Sequence, residues 1–201
     1  MQRTKFIYFF RGDLSSHVDI YKSWLDVAKS DIDISMVTVL DYATYINQKN
    51  LALHYRKQGL KVFVVPKYTK QIFTLFYFFY FCMISDKVVI HLRKQSPKPF
   101  DVLKKVFTKK LKYIVEIEGD FESEVDYLSQ EKNQYRSGFY DNVIQGMKRS
   151  AKVLEKQIIK ADGVFVVTNE LKELFVKRYY KNKIENKIHV IPTGFDTKKF
   201  S

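Results

Sequence analysis

Three stretches of this chain carry residue types that could do chemistry. The first is Glu116-Ile117-Glu118-Gly119-Asp120-Phe121-Glu122-Ser123-Glu124-Val125-Asp126, with a carboxylate at every second position. Such alternation lines one side of a strand, but Gly119 interrupts it midway. Glu118 and Asp120 then fall at a strand tip, where burial would raise a carboxyl pKa toward base duty. The later carboxylates load the first turn of the next helix, and a helix-capping acidic loop is the competing reading. The second stretch is Arg11-Gly12-Asp13, followed by Leu14-Ser15-Ser16-His17. Gly12 permits a tight turn and a close backbone approach to a ligand, and the helix start behind it favours an anion; an ordinary turn explains the same residue. The third is His91, Arg93 and Lys94. Arg93 is placed to meet a phosphate or carboxylate, or else to sit in water, while His91 lies inside a strand and reads as structural.

Other chemistries lack support. There is no G-x-G-x-x-G and no Walker A sequence. The one cysteine, Cys82, sits in an apolar run, which excludes a disulfide framework and a Cys-based zinc site and points to an inert buried thiol. Neither metal nor cofactor is expected. Lys5 to Phe10 is too short for a secretory h-region, so the cytoplasm is the default compartment.

The elements that must position these residues are legible as apolar runs. Strands are predicted at Phe6 to Phe10, Ile34 to Leu40, Val62 to Val65, Val88 to Leu92, Tyr113 to Ile117, Val164 to Val167 and Ile188 to Ile191. Several are continuous β-branched or aromatic runs, as in parallel strands covered on both faces. Helices are predicted over Val18 to Lys29, Ala43 to Gln58 (ending at Gly59), Asp101 to Lys110 and Asn169 to Tyr179, the last with an Asn cap. Ser123 to Lys160 is long enough for one helix or two, with a break near Ser137-Gly138. Strands alternating with helices predict an α/β, Rossmann-like, doubly wound parallel sheet of about seven strands with helices on both faces. In such sheets a ligand lies beyond the C-terminal strand ends at the topological switch point. All three chemical stretches fall at strand ends.

The net charge is +13 over 201 residues, and it is concentrated. From Lys61 to Lys112 there are twelve Lys/Arg against Asp86 and Asp101, a net +10. The same quarter holds Ile72 to Ile84, thirteen residues without a charge. That is short of the ~20 needed to span a bilayer. It reads either as a buried core helix or as an aromatic face on an anionic membrane, with Lys67, Lys70, Phe76, Tyr77, Tyr80 and Lys87 as the contacting residues. No nucleic-acid recognition motif accompanies the basic charge, and no nucleic-acid partner is expected.

Three segments together carry a family resemblance. Val190-Ile191-Pro192-Thr193-Gly194-Phe195-Asp196 with Phe200 resembles V-I-P-N-G-V-D-x-x-x-F. Ala161-Asp162 through Leu171-Lys172 is similar to A-D-x-(apolar run)-S-x-x-L-K. Ile117-Glu118-Gly119-Asp120 resembles an apolar-His-Gly-Asp/Thr segment. These belong to the N-terminal domain of GT-B glycosyltransferases, close to the family 4 retaining enzymes. The chain departs from the family at Glu118 (usually His), at Thr193 (usually Asn) and in a first loop reduced to Gly12 alone. Glu116 and Glu124 have the spacing of the family's E-x7-E motif, but that motif belongs to the second domain.

The resemblance implies a nucleotide-sugar donor as substrate, with Arg11 and Gly12 approaching its phosphates. Glu118 and Asp120 would contact the acceptor or reacting sugar, with Arg93 beside them. Glu118 would position the acceptor in a retaining enzyme; in an inverting one, Glu118 or Asp120 would be the base. It further implies a Rossmann-like domain over 1–192 and a linker from 193, with Thr193, Gly194 and Asp196 as hinge and a donor-binding domain beyond. The acceptor would be lipid-linked or a polysaccharide, at the inner face of the plasma membrane. The alternative is a non-catalytic α/β binding or peripheral membrane-docking module.

Overall fold

The computed structural model describes residues 3–28, 31–93, 98–135 and 138–191. Seven strands form one parallel sheet in the order β3-β2-β1-β4-β5-β6-β7, surrounded by helices. They are β1 (Thr4–Phe10), β2 (Ile32–Leu40), β3 (Val62–Pro66), β4 (Lys87–Arg93), β5 (Leu111–Ile117), β6 (Gly163–Val166) and β7 (Ile188–Val190). The seven α-helices among the described residues are α1 (Ser15–Val27), α2 (Tyr42–Lys57), α3 (Lys70–Ile84), α4 (Lys98–Val106), α5 (Phe121–Tyr135), α6 (Gly138–Lys160) and α7 (Asn169–Arg178). Contacts divide the chain into two units, Met1–Ile114 and Val115–Ser201.

In the first unit, β1 is the central strand, paired with β2 on one side and β4 on the other. Its side chains alternate between faces, and both faces are apolar. Tyr8 and Phe10 join Leu14, Val18 and Tyr21 in one core cluster with Ala52 of α2. Phe9, from the opposite face, packs edge-on against Phe78 of α3 and Phe100 of α4. This two-faced burial explains why the strand reads as a continuous run. The Tyr21 hydroxyl donates to the Ile34 carbonyl and accepts from the Lys61 amide, each at 3.1 Å, which ties α1 to β2 and to the approach of β3. At the N-terminal strand ends, Asp33 gathers three cations. Lys61 lies 2.6 Å from it, buried Lys5 3.1 Å and Arg3 3.7 Å.

In helix α3 the 72–84 run has one buried face and one exposed face. Thr74, Phe78 and Cys82, four residues apart, are fully buried. Ile72, Phe76, Tyr80 and Met83 are each more than half exposed. Tyr77, expected on the membrane-facing side, is corrected by the structure and faces inward. Its ring stacks on Phe73 and meets Phe63 edge-on, and its hydroxyl pairs with Ser35 at 3.2 Å. Burial pushes its pKa up to about 12. Burial likewise raises the Cys82 thiol to about 11, which makes it inert. Among the described residues no helix is long and apolar enough to cross a membrane.

In the second unit, α5 and α6 fall on either side of the predicted 137–138 break, and β6 pairs in parallel with β7. The cap of α7 sits one residue earlier than the sequence suggests. Thr168, in extended conformation, accepts the Leu171 amide at 3.2 Å, and Asn169 is the first helical residue.

Candidate functional site

The strand order sets the site. From β1 the chain steps outward to β2 and β3, then returns to β4 on the other side of β1. The switch point therefore lies between the C-terminal ends of β1 and β4, where Phe10 and Arg93 are register partners. The turn leaving β1 is held open at this point. Gly12 has φ +148°, which favours glycine, and its carbonyl accepts the hydroxyl of buried Thr38 at 2.7 Å. The Leu14 amide donates to Gln48 Oε1 of α2 at 3.1 Å. Two neighbouring elements thus clamp the backbone of the turn.

Arg93 reaches back into this turn. Its Nη1 donates to Tyr8 Oη at 3.1 Å and lies 3.2 Å from His17 Nδ1, and Tyr8 Oη lies 3.0 Å from the same nitrogen. A guanidinium can only donate, so His17 Nδ1 accepts and the ring proton is assigned to Nε2. An added Cβ at Gly12 would stand 3.6 Å from that Nε2. His91 is buried, stacked on Trp24 at 5.3 Å between ring centroids and 5.2 Å from the Tyr8 ring, as a structural histidine should be. The floor of the switch point is thus an aromatic stack that carries a fixed guanidinium.

A second group of charges flanks it on the β2–β3 side. Asp41, just past β2, lies 3.5 Å from Arg11 Nη2 and 3.2 Å from Lys67 Nζ. A hydrogen bond from Lys67, with added attraction from Arg11, lowers its pKa. Lys70 opens α3, its Nζ 5.9 Å from the Phe9 ring centroid. Burial, then repulsion from Arg11 and Lys67, lowers the Lys70 pKa to about 8.

The predicted carboxylate pair belongs to the second unit. Glu118 is exposed just past the end of β5. Asp120 is engaged. Arg178 of α7 grips both its oxygens at 2.6 and 2.8 Å, and Asp120 also accepts the Ser123 hydroxyl at 2.6 Å in the first turn of α5. The Arg178 bonds, helped by Ser123, hold the Asp120 carboxyl at about 2 and raise Arg178 above its ordinary value. A side chain at Gly119 would place its Cβ 2.8 Å from Glu124 Oε1, the movable end of a flexible side chain.

The structure brings Gly12, Arg11 and Arg93 to one strand edge and places Lys67 and Lys70 beside them. Lys87 is exposed at the opposite, N-terminal end of β4. Lys94 and the hinge residues Thr193, Gly194 and Asp196 lie outside the described residues. Sequence reasoning missed Tyr8, Asp41 and Arg178, and gave His17 no role of its own. Asp41 directly follows a predicted strand, so the strand-end rule could have found it. Nothing in the sequence links Arg178 to Asp120, 58 residues away.

No protein-family model matches the sequence, and no curated protein does. A solved structure does match: TcCGT1 in complex with UDP aligns at TM-score 0.50 and 11% identity, over 96% of this chain and 51% of that one. The likeness is one of fold. The chain spans about half the length of that neighbour.

Proposed function

We propose that this chain is the acceptor-side half of a nucleotide-sugar-dependent glycosyltransferase of the GT-B type, close to family 4. The observation that carries the proposal is the alignment of nearly the whole chain with half of a structure solved with UDP. The strand-end motifs and the cationic edge around the β1–β4 switch point add support. Arg11 and the Gly12 turn approach the donor phosphates, and Arg93, held by Tyr8 and His17, presents a fixed positive charge at the same edge. Glu118 contacts the acceptor hydroxyl, while Asp120 keeps the start of α5 in place through Arg178. The exposed face of α3, with Phe76, Tyr80 and Lys67, docks on the inner face of the plasma membrane and brings the domain to a lipid-linked or polysaccharide acceptor.

A second reading, a membrane-docking module without chemistry, is favoured by the same exposed face of α3. The two differ in the polypeptide they require beyond residue 201. A transferase of this type needs a second Rossmann-like domain of roughly a hundred and fifty residues to bind the donor nucleotide. Determination of the coding sequence past Ser201 is the test. A second α/β domain is expected, and an immediate stop codon would leave the docking module as the better description.

A further inference from the structure

The turn after β1 contains two successive peptide units that are bonded differently. The Asp13–Leu14 unit is fastened at both ends: the Leu14 N–H donates to Gln48 Oε1 at 3.1 Å, and the Asp13 carbonyl accepts the Ser16 hydroxyl at 2.8 Å. The Gly12–Asp13 unit is fastened at one end. Its carbonyl accepts the Thr38 hydroxyl at 2.7 Å, and among the described residues its N–H makes no hydrogen bond. Thr38 belongs to β2, is fully buried and pairs in register with Phe10 of β1. A buried hydroxyl must be satisfied, and here the turn satisfies it. The peptide bonds of the described residues are all trans, so the C=O and N–H of this unit point in opposite directions. The Gly12 carbonyl is drawn toward β2, and the Asp13 N–H therefore points away from β2. On that other side of β1 lies β4, and with it the switch point. Gly12, at φ +148°, has no Cβ to hold the unit in place, so the hydroxyl sets its direction.

We infer that Thr38 is a positioning residue: its hydroxyl fixes the Gly12–Asp13 peptide so that the Asp13 N–H donates to a phosphate oxygen at the β1–β4 edge. That this phosphate is the sugar donor's rests on the glycosyltransferase reading; the direction of the amide does not. The Asp13 carboxylate is exposed and screened by water, so it does not close the edge to an anion. Without the hydroxyl the peptide rotates between orientations. Only a fraction of molecules then presents the N–H, and apparent affinity falls by that fraction. One neutral hydrogen bond biases such a choice by roughly three- to tenfold. A purely structural Thr38 predicts something different: lost stability with phosphate affinity unchanged.

The test is a titration of the isotope-labelled chain with pyrophosphate, followed by amide NMR. The Asp13 amide resonance of the wild type is expected to shift saturably as pyrophosphate binds. Thr38→Val, close in shape but without the hydroxyl, should weaken binding about three- to tenfold. Thr38→Ser, which keeps the hydroxyl, should stay within about twofold of the wild type. Circular dichroism checks that each variant folds. In the full gene product, Thr38→Val should raise KM for the nucleotide sugar and leave kcat nearly unchanged, a split that mere loss of folded protein does not produce. An Asp13 resonance that pyrophosphate leaves in place overturns the inference from the wild type alone, whether or not the variants fold. Equal affinity in Thr38→Val and the wild type, with only the melting temperature lowered, overturns it as well. If pyrophosphate binds as expected but the full protein transfers no sugar, the role of the amide stands and the glycosyltransferase reading alone fails.

Discussion

Replacing Asp120 with Asn removes one charge from the ion pair that closes the β5 tip. The Asp120 side chain is 8% exposed and that of Arg178 23%, and two short bonds join them. A carboxyl lowered from 3.8 to about 2 corresponds to about 2.4 kcal/mol of folding stability at neutral pH. Solvent at the rim of the pair reduces this to about 1–2 kcal/mol. Because the folded pKa is depressed, the contribution is present above about pH 4 and is lost as the pH falls toward 2. Near pH 3 about half of it should remain. Urea unfolding of the wild type and Asp120→Asn at pH 7, 4 and 3 measures this directly. The expected difference is about 1–2 kcal/mol at pH 7 and 4, and half that at pH 3. A difference independent of pH, or none at pH 7, would refute the assignment of Asp120 as an ionic staple.

Two further predictions concern the basic edge and helix α3. Lys70 has a folded pKa lowered from 10.5 to about 8, so its charge opposes folding at neutral pH, and the penalty fades between pH 8 and 10.5. Lys70→Met should therefore stabilise the chain by about 1–2 kcal/mol at pH 7 after allowance for screening, and by almost nothing near pH 10.5. Urea titrations at the two pH values check it, and an equal gain at both would contradict the electrostatic origin. Phe78→Ala, at a fully buried position, should cost about 3–5 kcal/mol, whereas Phe76→Ser should change stability by less than about 0.5 kcal/mol. Equal losses by thermal melting would mean that the two faces of α3 are wrongly assigned.

The seven strands were legible in the sequence because parallel strands buried on both faces keep unbroken β-branched and aromatic runs, such as Phe6 to Phe10 and Val88 to Leu92. Gly59 marked a helix end by its conformation, and the structure gives it φ +85°. Local chemistry, however, put the α7 cap at Asn169 instead of Thr168, because both residue types can accept the same amide. Tyr77 could not be oriented, since a helix aromatic on nearly every side has no polar stripe to define its outer face. The Arg93–Tyr8–His17 and Asp120–Arg178 groups were invisible for another reason. Their partners lie on separate elements, and only the folded sheet brings them within bonding distance. Gly12 and Arg93 were found because the strand-end rule turns topology into position.

Sugar transfer is the role proposed for this domain, and the product of that reaction is its most direct test. The full gene product should be incubated with nucleotide sugars and a membrane lipid extract, with mass spectrometry tracking the lipids. The expected result is a lipid or saccharide species heavier by one sugar residue, formed at a rate that Glu118→Gln sharply lowers while the thermal melt is unchanged. No mass increment with any nucleotide sugar, from protein that is folded and bound to the membrane, would contradict the proposed role.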